Sequence, residues 1–336
     1  MPATPALPEL DHIEIEQFSP LGDTPLVACE AAFGAARYRN TNAIIIGTDS
    51  QGALPQVDEE EFDILLTTAK AAPRPWTTLP ANALQQRLQT YDAAIRTTPH
   101  AAAVLRQTLR INEALPFDQA LHVESFAYST LLAGEEFRRW RKANPAQTSA
   151  TPHQAKVDYT REGDHVTLTL NAPETRNAMT AAMRDALYEA LAAVADDPSR
   201  PNVTLRGAGA CFSIGGALEE FGANPDLAAA HTIRTTRSVA RLIDELGDRI
   251  ETMFHGACIG SGLEAPAAAH KRSALSGAFF QLPELKMGLI PGAGGTVTIP
   301  RAVGRHRACA MMLSGARVSA ATALEWGLLH NVEESA

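Results

Sequence analysis

From Val157 onward, stretches with a two-residue hydrophobic period alternate with longer stretches of helical character. His165–Leu170 (HVTLTL) alternates polar and apolar residues and predicts a strand. Ala178 to Ala195 predicts a helix that stops before Asp197-Pro198. Asn202–Leu205 (NVTL) predicts a short buried strand and Ile250–His255 another. Ala274–Gln281 (ALSGAFFQ) predicts a short edge or turn strand. Strands alternating with helices predict an α/β architecture, with helices packed on a sheet.

The segment before this half has a different character. Ala143–Ala155 (ANPAQTSATPHQA) is polar, rich in Pro, Ser and Thr, and lacks apolar periodicity. It predicts a linker over 143–156, between an N-terminal region, 1–142, and a core, 157–336. A chain of 336 residues is comfortable for two such units. In the first, Asn42–Thr48 (NAIIIGT) and Phe62–Thr67 (FDILLT) predict two strands of a small α/β element with no identifiable chemistry. After Pro80 the chain is rich in helix formers, and the Leu spacing predicts two amphipathic helices broken near Pro116.

Composition removes several classes of function. The net charge is -9 and no run of five basic residues occurs, so no nucleic-acid partner is expected. The first residues lack the basic and apolar blocks of a signal peptide, and no apolar run reaches the roughly 20 residues that span a bilayer. The expectation is a cytoplasmic protein with no membrane partner. Cys29, Cys211, Cys258 and Cys309 form no C-x-x-C pair, and the histidines form no H-x-x-x-H pair. Neither a metal site nor a disulfide framework is expected. A G-x-S-x-G nucleophile turn is absent.

Three glycine-rich motifs follow one another in the second half. Cys211-Phe-Ser-Ile-Gly-Gly-Ala217 follows the NVTL strand, and alone it reads as a tight turn. Gly256-Ala-Cys-Ile-Gly-Ser-Gly-Leu-Glu-Ala-Pro266 reads as a glycine loop opening a helix that runs on through Ala267–His270, where free N–H groups gather. Alone, it makes Glu264 a surface residue. Leu282-Pro-Glu-Leu-Lys-Met-Gly-Leu-Ile-Pro-Gly-Ala-Gly-Gly-Thr296 is no phosphate loop, because Gly295 rather than Lys precedes Thr296.

Together and in this order the three resemble the enoyl-CoA hydratase/isomerase, or crotonase, superfamily. Asn171-Ala-Pro-Glu-Thr-Arg-Asn-Ala-Met179, Pro300-Arg-Ala-Val-Gly304 and the stretch from Leu313 to Leu328 extend the resemblance over roughly half the chain. It implies a spiral of ββα units assembled as a homotrimer or hexamer. It implies an oxyanion hole made by the backbone N–H groups of Gly216 and Ser261. It also implies Glu264 as water activator, Glu284 as donor of the α-carbon proton, and Gly292 as a backbone partner of the water. Arg176 and Ile214 fall at positions expected to meet CoA. The substrate would be an acyl-CoA thioester, with no cofactor.

The sequence departs from the family in several places. Ser261 replaces a Gly, and Ala217 and Glu219 stand where hydratases carry an Asp and a Lys. The family's cover helices normally follow the core, whereas here Pro99–Lys142 resembles them and precedes it. The expectation is that these helices cover the site in permuted order, with Phe137, Arg138, Arg139 and Lys142 toward the CoA end. A double-bond isomerase and a crotonase-fold binding protein without turnover are the alternatives.

Overall fold

The computed structural model describes residues 9–145 and 156–334. The predicted linker therefore lies mostly outside the described residues. A capped turn of helix, α1 (His12–Gln17), precedes a four-stranded parallel sheet. Its strands are β1 (Leu26–Glu30), β2 (Ile44–Asp49), β3 (Ile64–Thr67) and β4 (Thr77–Thr78), side by side in chain order. The two strands expected from sequence are β2 and β3, and both are buried along their whole length. Continuous apolar runs are what a parallel strand covered on both faces requires.

Four helices follow: α2 (Leu84–Thr97), α3 (Pro99–Glu113), α4 (Phe117–Leu132) and α5 (Glu135–Ala143). Proline sets two of the boundaries. Pro99 opens α3, where its missing N–H costs nothing, and Pro116 sits just before α4. Glu136 of α5 reaches back to accept the N–H groups of His100 and Ala101 at 2.9 and 3.0 Å, capping α3 from a neighbouring helix.

The second half begins with a hairpin, β5 (Val157–Glu162) and β6 (His165–Leu170). It continues through α6 (Ala181–Ala195), β7 (Asn202–Gly207), α7 (Leu227–Thr236), α8 (Val239–Leu246), β8 (Ile250–Phe254), β9 (Ala257–Ile259) and α9 (Ser261–Glu264). Then come β10 (Lys271–Leu275), β11 (Phe279–Gln281), α10 (Gly295–Val303), α11 (Arg305–Ser314), β12 (Val318–Ser319), α12 (Ala320–Trp326) and β13 (Asn331–Glu333). A six-stranded sheet runs β13-β10-β8-β7-β6-β5, parallel except for the hairpin, and a three-stranded sheet runs β12-β11-β9. The single strand expected over 274–281 is two, because β10 and β11 join different sheets. Thr180, whose side chain accepts the Met183 N–H at 3.0 Å, starts α6 three residues later than expected.

The helix expected after Gly260 is only four residues long, and a 3-10 turn at Pro266–Ala268 ends it. Whatever the Ser261 N–H does, it does as a single hydrogen-bond donor without a long helix behind it.

Helices α3, α4 and α5 lie against the second half rather than apart from it. Their buried Leu105, Leu109, Leu121, Leu131 and Phe137 share one hydrophobic cluster with Val166, Leu205, Ile243, Val297 and Ile299. The small sheet feeds both this cluster, through Ile44, Ile46, Ile64 and Leu66, and a smaller one on its other face, with Ile45, Leu65 and Trp76.

Candidate active site

The loop 211–217, expected to carry an oxyanion donor, is shaped by its neighbours. The N–H of Met179 donates to the Gly215 carbonyl at 2.8 Å, and the Ala217 N–H donates to the Met179 carbonyl at 3.4 Å. In this parallel bridge the flanking residues make the bonds, so the N–H of Gly216 itself turns away from Met179. Asn177, fully buried, fixes the turn: its Nδ2 donates to the carbonyls of Ala208, Cys211 and Phe212. Gly215 has φ +86°, and a Cβ there would lie 2.5 Å from the Ile259 carbonyl oxygen, so only glycine fits. Ser261 is the first residue of α9, a position whose N–H has no intrahelical acceptor. Among the described residues, no protein acceptor engages the N–H of Gly216, Ser261 or Gly292.

Glu264 and Glu284 border the same space. The first ends α9, the second opens the 3-10 turn Glu284–Met287, and both are buried. A Cβ on Gly260 would stand 2.7 Å from Glu284 Oε1 and 3.9 Å from Glu264 Oε1, so both carboxyls converge over this glycine. Glu264 Oε2 accepts the N–H groups of Ala293 at 2.7 Å and Gly295 at 3.2 Å. Glu284 Oε2 and Ser261 Oγ are buried with no hydrogen-bond partner among the described residues.

Burial dominates the titration of both glutamates. It pushes the Glu284 carboxyl up to about 8, and the charge of Glu124 adds to the effect. Burial also raises Glu264 well above the ordinary carboxyl range, helped by the charges of Glu284 and Glu124. The two N–H bonds to Glu264 oppose this by favouring its ionised form. The carboxyls titrate together. Burial thus favours the protonated form of both carboxyls, most strongly opposed at Glu264 by its two N–H donors.

Glu124, on α4, was not among the residues expected at the site. It is 2 % exposed. Its carboxyl accepts the N–H groups of Gly294 at 2.6 Å and Thr296 at 2.7 Å, and the Thr296 hydroxyl at 2.7 Å. Burial brings its pKa up to about 7. One signal in the sequence marked it: Leu121, Glu124, Tyr128 and Leu131 follow helical spacing, so a carboxylate stands on the apolar stripe of its helix. Tyr128, from the same stripe, lies against Gly292.

These groups surround one cleft with two lobes. The larger, about 250 Å³, is bordered by Gly216, Ser261, Glu264, Glu284, Gly292 and Tyr128. The smaller, about 80 Å³, is bordered by Leu121, Glu124, Leu187, Arg234 and Val239. Met179, Arg184, Arg234, Ser261, Gly292 and Ala293 line both. An open depression bordered by Phe137, Arg138, Arg141 and Lys142 adjoins the larger lobe at Leu132, Gly222 and Asn224. Arg141 donates to the carbonyls of Leu218 and Phe221, tying α5 to the segment after Ala217. Arg139 instead turns back to the Thr97 carbonyl at 2.9 Å. Arg176 is exposed and Ile214 half-buried. Their backbones meet through the Ile214 N–H at 3.2 Å, but neither side chain borders the cleft.

The enoyl-CoA hydratase/isomerase family profile matches residues 161–335, and the chain belongs to that family. It is 32% identical to the putative enoyl-CoA hydratase/isomerase YngF of Bacillus subtilis, over 52% of this chain and 68% of that protein. It is also 32% identical to the fatty acid oxidation complex subunit alpha of a Shewanella species, over 52% of this chain but only 25% of the relative. An enoyl-CoA hydratase crystal structure from Geobacillus kaustophilus superposes with a TM-score of 0.50 at 24% identity. It covers 55% of this chain and 70% of that one, and shares the fold. No helix among the described residues is long and apolar enough to cross a membrane.

Proposed function

We propose that this protein adds water to, or removes it from, an α,β-unsaturated acyl-CoA thioester. The reading rests on one observation: Glu264, Glu284 and the unengaged N–H groups of Gly216 and Ser261 all border one cleft. The thioester carbonyl oxygen would accept both N–H groups. Glu264, steadied by two backbone donors, takes a proton from water as the water oxygen bonds the β-carbon. The α,β π electrons move toward the carbonyl, and the resulting enolate takes a proton from Glu284 at the α-carbon. One water is consumed, and no oxidant or reductant is required. Each oxyanion donor in comparable sites contributes about 3–4 kcal/mol. Gly292, whose N–H points to no protein acceptor, is a partner for the attacking water.

The same reading assigns the CoA end to the depression bordered by Arg138, Arg141 and Lys142, whose cations suit phosphates. Arg176 and Ile214 lie outside the lining of the cleft. Helices α3–α5 serve as the cover, since Glu124 and Tyr128 reach the site from α4. Assembly as a homotrimer or hexamer belongs to the same proposal, and light scattering reads it.

The test is the ultraviolet absorbance of short, branched and aromatic enoyl-CoA thioesters mixed with the protein. Loss of the conjugated band, abolished by Glu264→Gln and by Glu284→Gln, is the expected result. A shifted double bond without a hydroxy product would instead indicate an isomerase. No change with any substrate would leave a binding protein.

A further inference from the structure

Arg234, on α7, stands on the wall of both lobes of the cleft. Its Nε donates to Ser125 Oγ at 3.0 Å, and its Nη2 donates to the Ser125 carbonyl and to Ser129 Oγ. Its guanidinium lies 5.0 Å from the centre of the Tyr128 ring. Every one of these partners is neutral, and all of them belong to α4. Among the described residues no carboxylate comes within ion-pair distance of Arg234, and its Nη1 has no protein partner. The neighbouring carboxyl of Glu124 is spent on Gly294 and Thr296. The other cations of the small lobe differ in this respect, because Arg184 and Arg237 share Asp185 at 2.8 and 3.3 Å.

A guanidinium offers five N–H donors in a planar fork. Three of the five are satisfied here by α4, which fixes the plane of a residue that lines both lobes and leaves the Nη1 pair without a protein acceptor among the described residues. A hydrocarbon tail filling the small lobe would strip water from those donors and give nothing back, a costly arrangement for a charged group. A carboxylate would take them in charge-assisted bonds, the geometry for which arginine is best suited. Ser261 Oγ, buried and without a partner, offers a further polar contact between the lobes.

We infer that the acyl group carries a carboxylate of its own, bound by Arg234, so that the substrate is the CoA monothioester of an unsaturated dicarboxylic acid. The inference rests on the thioester reading given above. It names a binding subsite formed jointly by α7 and the N-terminal helix α4.

The experiment compares two thioesters of matched shape: pent-2-enedioic acid joined to CoA through C1, and 5-methylhex-2-enoyl-CoA, in which an isopropyl group replaces the carboxylate. The wild-type protein is expected to favour the acid in kcat/KM by about 100-fold, as a desolvated charge pair warrants. Arg234→Met is expected to erase or reverse that ratio, with Arg234→Lys in between. Equal or better turnover of the branched alkyl substrate by the wild type overturns the inference, whether or not the variants fold. Calorimetry with the saturated glutaric monothioester and 5-methylhexanoyl-CoA separates the two readings. Tighter binding of the acid by tenfold or more, lost in Arg234→Met, without any hydration would overturn the hydratase and keep the subsite. Hydration without preference would do the reverse.

Discussion

The carboxyls of Glu124 and Glu264 divide four consecutive backbone N–H groups between them. Glu264 takes those of Ala293 and Gly295, while Glu124 takes those of Gly294 and Thr296. One glutamate belongs to a family motif and the other to a helix in the opposite half of the chain. Between them they clamp the start of α10 from two sides and leave the preceding Gly292 N–H unengaged.

Removing one side of this clamp should be costly. Glu124→Ala would leave two backbone donors and the Thr296 hydroxyl without their acceptor. A loss of about 3 kcal/mol in urea denaturation is expected, because buried donors stripped of a charged acceptor are expensive. Glu124→Gln should fall between, since its amide nitrogen faces donors. A cost under about 0.5 kcal/mol for the alanine variant would show that the clamp contributes nothing.

Gly292 and Tyr128 are matched in volume. A Cβ on Gly292 would lie 2.5 Å from Tyr128 Cδ2 and 2.7 Å from Cε2. Gly292→Ala should therefore destabilise by about 1–3 kcal/mol and lower turnover by displacing the ring. Adding Tyr128→Ala should recover part of the stability, so a double-mutant cycle should be clearly non-additive. Strict additivity would contradict the contact.

Buried acids make stability depend on pH in a defined direction. The folded Glu284 carboxyl titrates at about 8 against an ordinary 4.5, and Glu124 at about 7. Between 4.5 and these values the folded chain holds protons that the unfolded chain releases. Their contribution is complete below 4.5 and is lost as pH rises toward 8. The slope is at most about 1.4 kcal/mol per pH unit for each group. Denaturation at pH 5, 6, 7 and 8 should give a shallower decline for Glu284→Gln than for the wild type. If Glu284 is the acid, kcat/KM should also fall above about pH 8.

The covering role of the N-terminal helices can be tested by removing them. A fragment beginning at Val157 would expose the faces of α7, α10 and α11 that α3 and α4 cover, and would lack Glu124 and Tyr128. It should be insoluble or loosely folded and inactive. A soluble fragment with full turnover would refute the cover.

The two carboxyls expected to act together were legible because three glycine motifs stand in the order of the family they resemble, and the structure shows what two of those glycines do. Gly260 lets Glu284 approach, and Gly215 lets the loop 211–217 pass Ile259. Strands β2, β3 and β6 were legible because their periods match their burial. By contrast, β5 was missed because it is a largely exposed edge strand with the polar sequence VDYTRE, and a solvated edge imposes no period. The length of α9 was overestimated because a 3-10 turn at Pro266–Ala268 takes over two residues past Glu264.

Local sequence determined the α/β pattern and the glycine loops, which follow from backbone geometry within a few residues, while Glu264 and Glu284 were named from the order of the motifs and the family they resemble. Only the tertiary structure decided that Glu124, Tyr128 and Arg234 join them. Their roles depend on α4 docking between α7 and α10, and that docking is driven by apolar area spread over both halves of the chain. Hydrophobic attraction has no direction, so a one-dimensional pattern can mark a helix face as apolar without saying what it will meet.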